Sequence, residues 1–211
     1  MPESVIKAMA DGADKARAGG FPLGPLHGLP IAYKDLCDIA GRIGTGGSKM
    51  FEKRVATETS NTVERLTAAG MVPLGKLHMV EFAFGGWGTN PLMGAPWNPW
   101  DLATHRSPGG SSGGTAAALS AGMTFLEYGS DLVGSIRIPA SFCGIYGLKP
   151  SAGIVPLTGF QPPGPPAGPS DMMYMSAVGP LGRSAHDLRV ALSVTGGPED
   201  QAAKAYTWTL S

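Results

Sequence analysis

The run Gly109-Gly110-Ser111-Ser112-Gly113-Gly114, an alanine-rich stretch after it, and then Gly129-Ser130-Asp131-Leu132-Val133-Gly134-Ser135-Ile136-Arg137 decide how this chain is read. The glycine clusters read as tight turns. Between and beyond them, Gly113–Ala121 reads as a helix and Thr124–Tyr128 as a strand. Gly129–Gly134 reads as a loop, and Ser135 opens a short helix toward Phe142. Helix, strand and helix in succession form a unit of α/β structure. The same residues carry chemistry. A serine hydroxyl is a poor nucleophile until a base takes its proton. Glycine lets backbone N–H groups turn toward a developing negative charge.

The alternation continues outward. Residues 3–18 predict an amphipathic helix with Val5, Ile6, Met9, Ala13 and Ala16 on one face, stopped at Gly19-Gly20. Leu29–Tyr33 predicts a buried strand that delivers Lys34 and Asp35 at its end. Gly44–Ser48 is a loop. Thr59–Ala69 predicts a helix capped by Ser60 or Asn61, and Met71–Gly75 a second strand. Residues 85–112, rich in Gly, Pro, Trp and Asn, read as an irregular covering segment. Ile145–Leu148 and Met172–Val178 predict further strands, and Ser184–Val194 a helix capped by Ser184. Prolines 162, 163, 165, 166 and 169 exclude a regular element from the 159–170 loop. These elements predict a single α/β domain over 1–211, with a mixed sheet covered by helices on both faces.

Bulk composition agrees. Hydrophobic residues make up 43% of 211, enough for a core, and Gly 32 with Pro 19 imply many tight turns. Lys+Arg 16 balances Asp+Glu 16, so nothing favours nucleic acid or an anionic membrane. Cys37 and Cys143 lack metal-type spacing and read as reduced cytosolic thiols. The start lacks the basic and apolar regions of a secretory leader. No apolar stretch approaches the roughly 20 residues of a membrane helix. The expectation is a cytoplasmic protein.

Lys34, Ser111 and Ser135 can form a proton relay. Neutral Lys34 would take a proton from Ser111, which takes one from Ser135, which attacks a carbonyl carbon. That needs a lysine with a lowered pKa, which burial at a strand end provides. By position alone, the commoner outcome is a solvated lysine paired with Asp35. Both serines are expected at helix N-termini, where the dipole favours an oxyanion.

Other patterns compete. Gly109-x-Ser111-x-Gly113 fits a nucleophile elbow, with Asp171 and His186 in the right chain order. The elbow needs a strand before the serine, and Thr104–Pro108 is a poor one. Ser4-x-x-Lys7 lacks the partner motifs of a β-lactamase. Histidines 27, 78, 105 and 186 are too scattered for a metal site, and no phosphate-binding glycine loop is present. Trp87, Trp97 and Trp100 line a pocket or pack under the irregular segment.

Gly28-Leu29-Pro30-Ile31-Ala32-Tyr33-Lys34-Asp35, Pro108 through Gly114, Gly134 through Gly144 and Gly147-Leu148-Lys149-Pro150 together resemble the amidase signature family. The resemblance covers roughly residues 22–195. It implies a cofactor-free amide hydrolase working through an acyl-enzyme on a small carboxamide. It makes Ser135 the nucleophile, Ser111 the bridging serine on a cis Gly110–Ser111 peptide, and Lys34 the base. It assigns an oxyanion hole to the amides of Leu132, Val133, Gly134 and Ser135. Ser112, Asp131 and Arg137 would support these groups or orient substrate.

Two departures stand out. The family pattern has Gly where this chain has Val133, and a β-branched residue disfavours positive φ. The oxyanion loop is therefore expected to need another backbone shape. Family members also continue well past residue 211, so the chain reads as truncated on its C-terminal side. An unfinished sheet would leave a raw edge and favour a homo-oligomer. Besides the amidase, two readings are carried forward. One is the glutamine-hydrolysing component of a tRNA-dependent amidotransferase, although Thr158–Ser170 does not resemble the stretch expected there. The other is an inactive remnant or interaction module.

Overall fold

The computed structural model describes residues 1–164, 175–199 and 202–210. Its centre is a five-stranded mixed sheet. The strands are β1 (Pro30–Lys34), β2 (Val72–Leu77), β3 (Leu126–Asp131), β4 (Tyr146–Gly147) and β5 (Ala177–Gly182), in spatial order β2-β1-β3-β5-β4. β1 runs parallel to β2 and β3, while β5 is antiparallel to β3 and β4. The helices are α1 (Glu3–Ala18), α2 (Asn61–Ala68), α3 (Gly113–Ser120), α4 (Arg137–Cys143) and α5 (Ala185–Thr195).

Side chains alternate across a strand, so each strand serves two layers. On one face, Ile31 and Tyr33 of β1 and Leu126 and Tyr128 of β3 pack with Val63 and Leu66 of α2 and Ala191 and Leu192 of α5. The Tyr128 hydroxyl donates to the Ala191 carbonyl at 3.0 Å, tying β3 to α5. On the other face, Leu181 of β5 packs with Ala116 and Leu119 of α3 and Ile136, Ala140 and Cys143 of α4. Helices therefore cover both faces, as the sequence predicts. α1 lies outside these layers. Its predicted face, Val5, Ile6, Met9, Ala13 and Ala16, is half-buried, and every other α1 residue is exposed.

Local signals place the helix starts. The Ser60 hydroxyl accepts from the Val63 amide and opens α2, and Ser184 accepts from Asp187 and opens α5. Gly144 ends α4 in the left-handed region, at φ 64°. The strands depart from prediction. β3 continues through Gly129, Ser130 and Asp131, which the sequence assigned to a loop. Six successive pairings with β5 hold this polar end extended, overriding its weak strand propensity. β2 runs on to Leu77 and carries Pro73, which is tolerated because β2 lies at the sheet edge. β5 begins only at Ala177, and Met172 to Tyr174 of the predicted strand lie outside the described residues, as does 165–170 of the proline loop.

Candidate active site

β1, β3 and the glycine turn before α3 converge on one point. Lys34, last residue of β1, is fully buried. Its Nζ donates to Ser111 Oγ at 2.7 Å and to Ser130 Oγ at 2.9 Å. It does not pair with Asp35, whose carboxylate instead accepts from Thr45 and lies 3.8 Å from Lys76 Nζ. Burial pushes the Lys34 ammonium down to about 7, and the charge of Asp131 only partly opposes this. A lysine in that range is available as a neutral base near neutral pH.

Ser111 is fully buried and follows a cis Gly110–Ser111 peptide. Neighbouring backbone pins it: its carbonyl accepts from the Val80 amide at 3.1 Å, and the Ser112 amide donates to the Ser135 carbonyl at 3.3 Å. That last bond brings the two serine segments together. Only glycine fits at 110, since an added Cβ would lie 2.8 Å from Val80 and 3.0 Å from the Gly85 oxygen. Ser112 itself is buried, and its hydroxyl has no hydrogen-bond partner among the described residues.

Ser135 sits two positions before α4, and Ser111 two positions before α3, so neither serine is the first helical residue. The turn that carries Ser135 is organised by Asp131, the fully buried end of β3. Asp131 accepts from the amides of Gly134 at 2.8 Å, Ile136 at 3.0 Å and Arg137 at 3.3 Å. Its two oxygens also take Arg137 Nε at 3.1 Å and Nη2 at 2.9 Å. Burial alone would raise the Asp131 carboxyl, but the Arg137 guanidinium and these amides outweigh it and hold the group below its usual range.

Of the four amides assigned to an oxyanion hole, Gly134 is therefore spent inside the protein. Those of Leu132, Val133 and Ser135 donate to no acceptor within the chain among the described residues. Val133 takes no left-handed φ. The turn falls at Gly134, with φ 132°, and the only non-glycine residues at positive φ among those described are Phe82 and Ala83. The loop thus accommodates a β-branched residue by placing its special backbone one position later.

Sequence reasoning missed Ser130, because the strand reading stopped at Tyr128. The elbow alternative finds no support: no strand leads directly into Ser111, His186 is exposed on α5, and Asp171 lies outside the described residues. The tryptophans belong to the covering segment. Trp100 donates from its indole nitrogen to the Cys143 carbonyl at 2.8 Å. Cys37 and Cys143 are free and buried, and burial pushes their thiols up to about 12 and about 11. Among the described residues, no group of His, Cys, Asp and Glu is placed to hold a metal, and no helix is long and apolar enough to cross a membrane.

Comparison with known proteins identifies the family. A sequence profile of the family described as Amidase matches residues 2–208. The A-type subunit of the glutamyl-tRNA(Gln) amidotransferase of Ralstonia nicotianae is 44% identical over 199 residues, covering 93% of this chain and 37% of that protein. The chain thus spans well under half the length of the curated relatives it matches. Among solved structures, a chain of a vestigial protein complex tied to the origins of an s-triazine catabolic enzyme is 40% identical, with a TM-score of 0.83 over 94% of this chain and 41% of that one. The native peptide amidase of Stenotrophomonas maltophilia is 31% identical, with a TM-score of 0.82 over 98% of this chain and 41% of that one.

Proposed function

The chain belongs to the Amidase family, and from that premise we propose that it hydrolyses a small carboxamide through a serine acyl-enzyme. Neutral Lys34 accepts the Ser111 proton while Ser111 accepts that of Ser135. The Ser135 oxygen bonds to the carbonyl carbon, and the resulting oxyanion is met by the amides of Leu132, Val133 and Ser135. The C–N bond then breaks, and the proton returns through Ser111 to the departing ammonia or amine. Water then bonds to the acyl carbon while its proton passes through Ser111 to Lys34, and that proton returns through Ser111 to the departing Ser135 oxygen, releasing the acid. Asp131 and Arg137 hold the turn that aims these amides, and Ser130 steadies the lysine. The site residues needed for this chemistry are all protein groups, and a cytoplasmic enzyme that needs no cofactor fits it.

The observation that carries this reading is the buried Lys34, held 2.7 Å from Ser111 with no carboxylate in ion-pair reach among the described residues. A lysine kept for structure would carry its charge to water or to an acid. A fluorophosphonate probe with peptide mapping tests the reading. Ser135 is the expected site of labelling, with amide hydrolysis lost in step, and modification of another serine in active protein refutes the assignment.

A second reading, a glutamine-hydrolysing component of an amidotransferase, is favoured by the names of relatives 44% identical. It uses the same relay and predicts glutaminase activity that depends on partner subunits.

A further inference from the structure

Beside Ser135 lies a cavity of about 220 Å³, and the segment Ala83–Gly86 forms one side of it. The turn that delivers this segment has an uncommon backbone. Phe82 and Ala83 hold φ of 53° and 60°, a region that residues bearing a Cβ rarely adopt and that persists only where the surroundings enforce it. Two of the enforcing bonds are local. The Ala83 amide donates to the Val80 carbonyl at 2.9 Å, and the Phe84 amide to the Glu81 carbonyl at 3.0 Å. A third comes from a distant loop, where the Gly46 carbonyl accepts from the Phe82 amide at 2.8 Å.

Gly46 is itself held from the end of β1. Asp35 is 4% exposed. Its carboxylate accepts from the Thr45 amide at 3.2 Å and from the Thr45 hydroxyl, and its carbonyl accepts from the Gly46 amide at 3.2 Å. Thr45 Oγ1 in turn accepts from the Gly47 amide at 3.0 Å. From the other side, Asn90 Nδ2 donates to the Gly47 carbonyl at 2.8 Å. Gly46 and Gly47 take φ of 60° and 74°, which glycine alone adopts without strain. Hydrogen bonds to a carboxylate are the stronger kind, and two from one residue fix its direction as well as its place.

We propose that Asp35 is a positioning residue for the substrate side of the site. Through Thr45 and the Gly46 carbonyl it holds the left-handed turn at Phe82 and Ala83, and with that turn the wall beside Ser135. The proposal rests on Ser135 as the reacting group. Adjacent residues at the end of β1 then serve the two halves of one site, Lys34 as the base and Asp35 as the support of the wall. Loosening the Asp35 hold moves the wall and weakens binding, while the 2.7 Å contact of Lys34 with Ser111 stays as it is.

Reaction of the full chain with an alkyl fluorophosphonate tests this, because its half-saturating concentration reports binding and its limiting rate reports chemistry. Thr45→Val removes the hydroxyl donor at nearly constant shape. The half-saturating concentration should rise about tenfold, the order of one lost hydrogen bond, with the limiting rate and its pH inflection unmoved. Thr45→Ser keeps the donor and should restore the parent value. Asp35→Ala should weaken binding at least as far as Thr45→Val. Hydrogen exchange at the Phe82 amide should quicken about tenfold in Thr45→Val and not in Thr45→Ser. A limiting rate that falls as much as binding weakens, or a half-saturating concentration that does not move, overturns the proposal. Labelling at Ser135 with binding and Phe82 exchange unchanged in the variants removes the Asp35 role and leaves the hydrolase reading. A parent chain that is not labelled at Ser135 removes the hydrolase reading, and Phe82 exchange then decides alone: quickened exchange keeps the Asp35 hold on the turn, and unchanged exchange removes it.

Discussion

Lys34 Nζ lies 2.7 Å from Ser111 Oγ, while the adjacent Asp35 faces Thr45 and Lys76. Consecutive residues at the end of an extended strand point to opposite sides. The two neighbours therefore cannot share an environment, and the lysine goes to the face that holds the serines. Its charge is left without the partner that proximity in sequence suggests. The consequence is a base whose neutral form is accessible near pH 7.

The first prediction concerns pH. With Lys34 at about 7, the neutral fraction falls tenfold for each unit of acidification below that point. Carboxamide kcat/KM should rise tenfold per unit up to about pH 7 and level off above it. Lys34→Ala should lower kcat by roughly 10²–10⁴-fold and flatten the acid limb. Steady-state rates from pH 5 to 9 give both quantities. Full activity of the alanine variant at pH 7 would remove the lysine from the mechanism.

Ser130 offers a sharper check, since its effect has a definite sign. Its oxygen accepts a hydrogen bond from Lys34 at 2.9 Å and so favours the charged lysine. Ser130→Ala removes that support, and the lysine should lose its proton more readily. The inflection of the pH–rate profile should move to lower pH by about one unit, the order expected for a hydrogen bond to a charged group. Thr in place of Ser130 should restore the original inflection. A lower kcat with the inflection unmoved would mean that Ser130 only fills space.

How much of this was open to inspection in the sequence follows from what is local. Glycine–serine turns, helix caps at Ser60 and Ser184, and the apolar face of α1 depend on near neighbours, and each is where its residues imply. The two serines are legible because their glycine surroundings are unusual, whereas Lys34 stands out only through the family resemblance, since by position alone a solvated lysine paired with Asp35 is the commoner outcome. The role of Asp131 had a local sign as well: an aspartate accepting from the amide three residues on is the short-range side-chain-to-backbone bond that such residues favour in turns and caps. Ser130 had none. It becomes a partner of Lys34 only because β3 is held extended by β5, whose residues lie about fifty positions later. Glu127 is hidden for the same reason. β1 and β3 share one register pair, Tyr33 with Tyr128, and the Glu127 side chain takes the Ala32 amide at 3.2 Å beside it.

Asp131→Asn tests whether the turn before α4 depends on charge. The carboxylate accepts from three amides and a guanidinium while fully buried. The amide keeps one accepting oxygen and turns two donors toward other donors. The variant should lose about 1–3 kcal/mol of stability, as expected when a buried acceptor no longer satisfies its donors. Ser135 should react with fluorophosphonate at least tenfold more slowly, because the turn bearing it is no longer fixed. Urea unfolding and labelling kinetics on one preparation measure both. Unchanged values would show that Arg137 and the turn hold their places without the charge.

Glu127 makes a prediction about stability rather than rate. It is fully buried, and Oε2 has no partner among the described residues. Burial pushes its carboxyl up to about 8, with the Ala32 amide pulling the other way. The folded chain therefore holds a proton that the unfolded chain has released from about pH 4.5 upward. Where the folded state binds more protons, stability falls as pH rises, here from about 4.5 to about 8. Lys34 acts in the opposite sense. Its lowered value makes the folded chain release a proton early, so stability gains from about pH 7 toward the ordinary lysine value of 10.5. Glu127→Gln keeps an oxygen for the Ala32 amide and removes the titration. Its stability should no longer fall from pH 5 to 7, where His78, held low by burial, adds a rise of its own, and should rise further above pH 7 with the Lys34 contribution. At pH 9 it should exceed the parent by a few kcal/mol. Urea midpoints at pH 5, 7 and 9 decide the matter: a glutamine variant that loses stability between pH 5 and 8 as steeply as its parent would place the titrating group elsewhere.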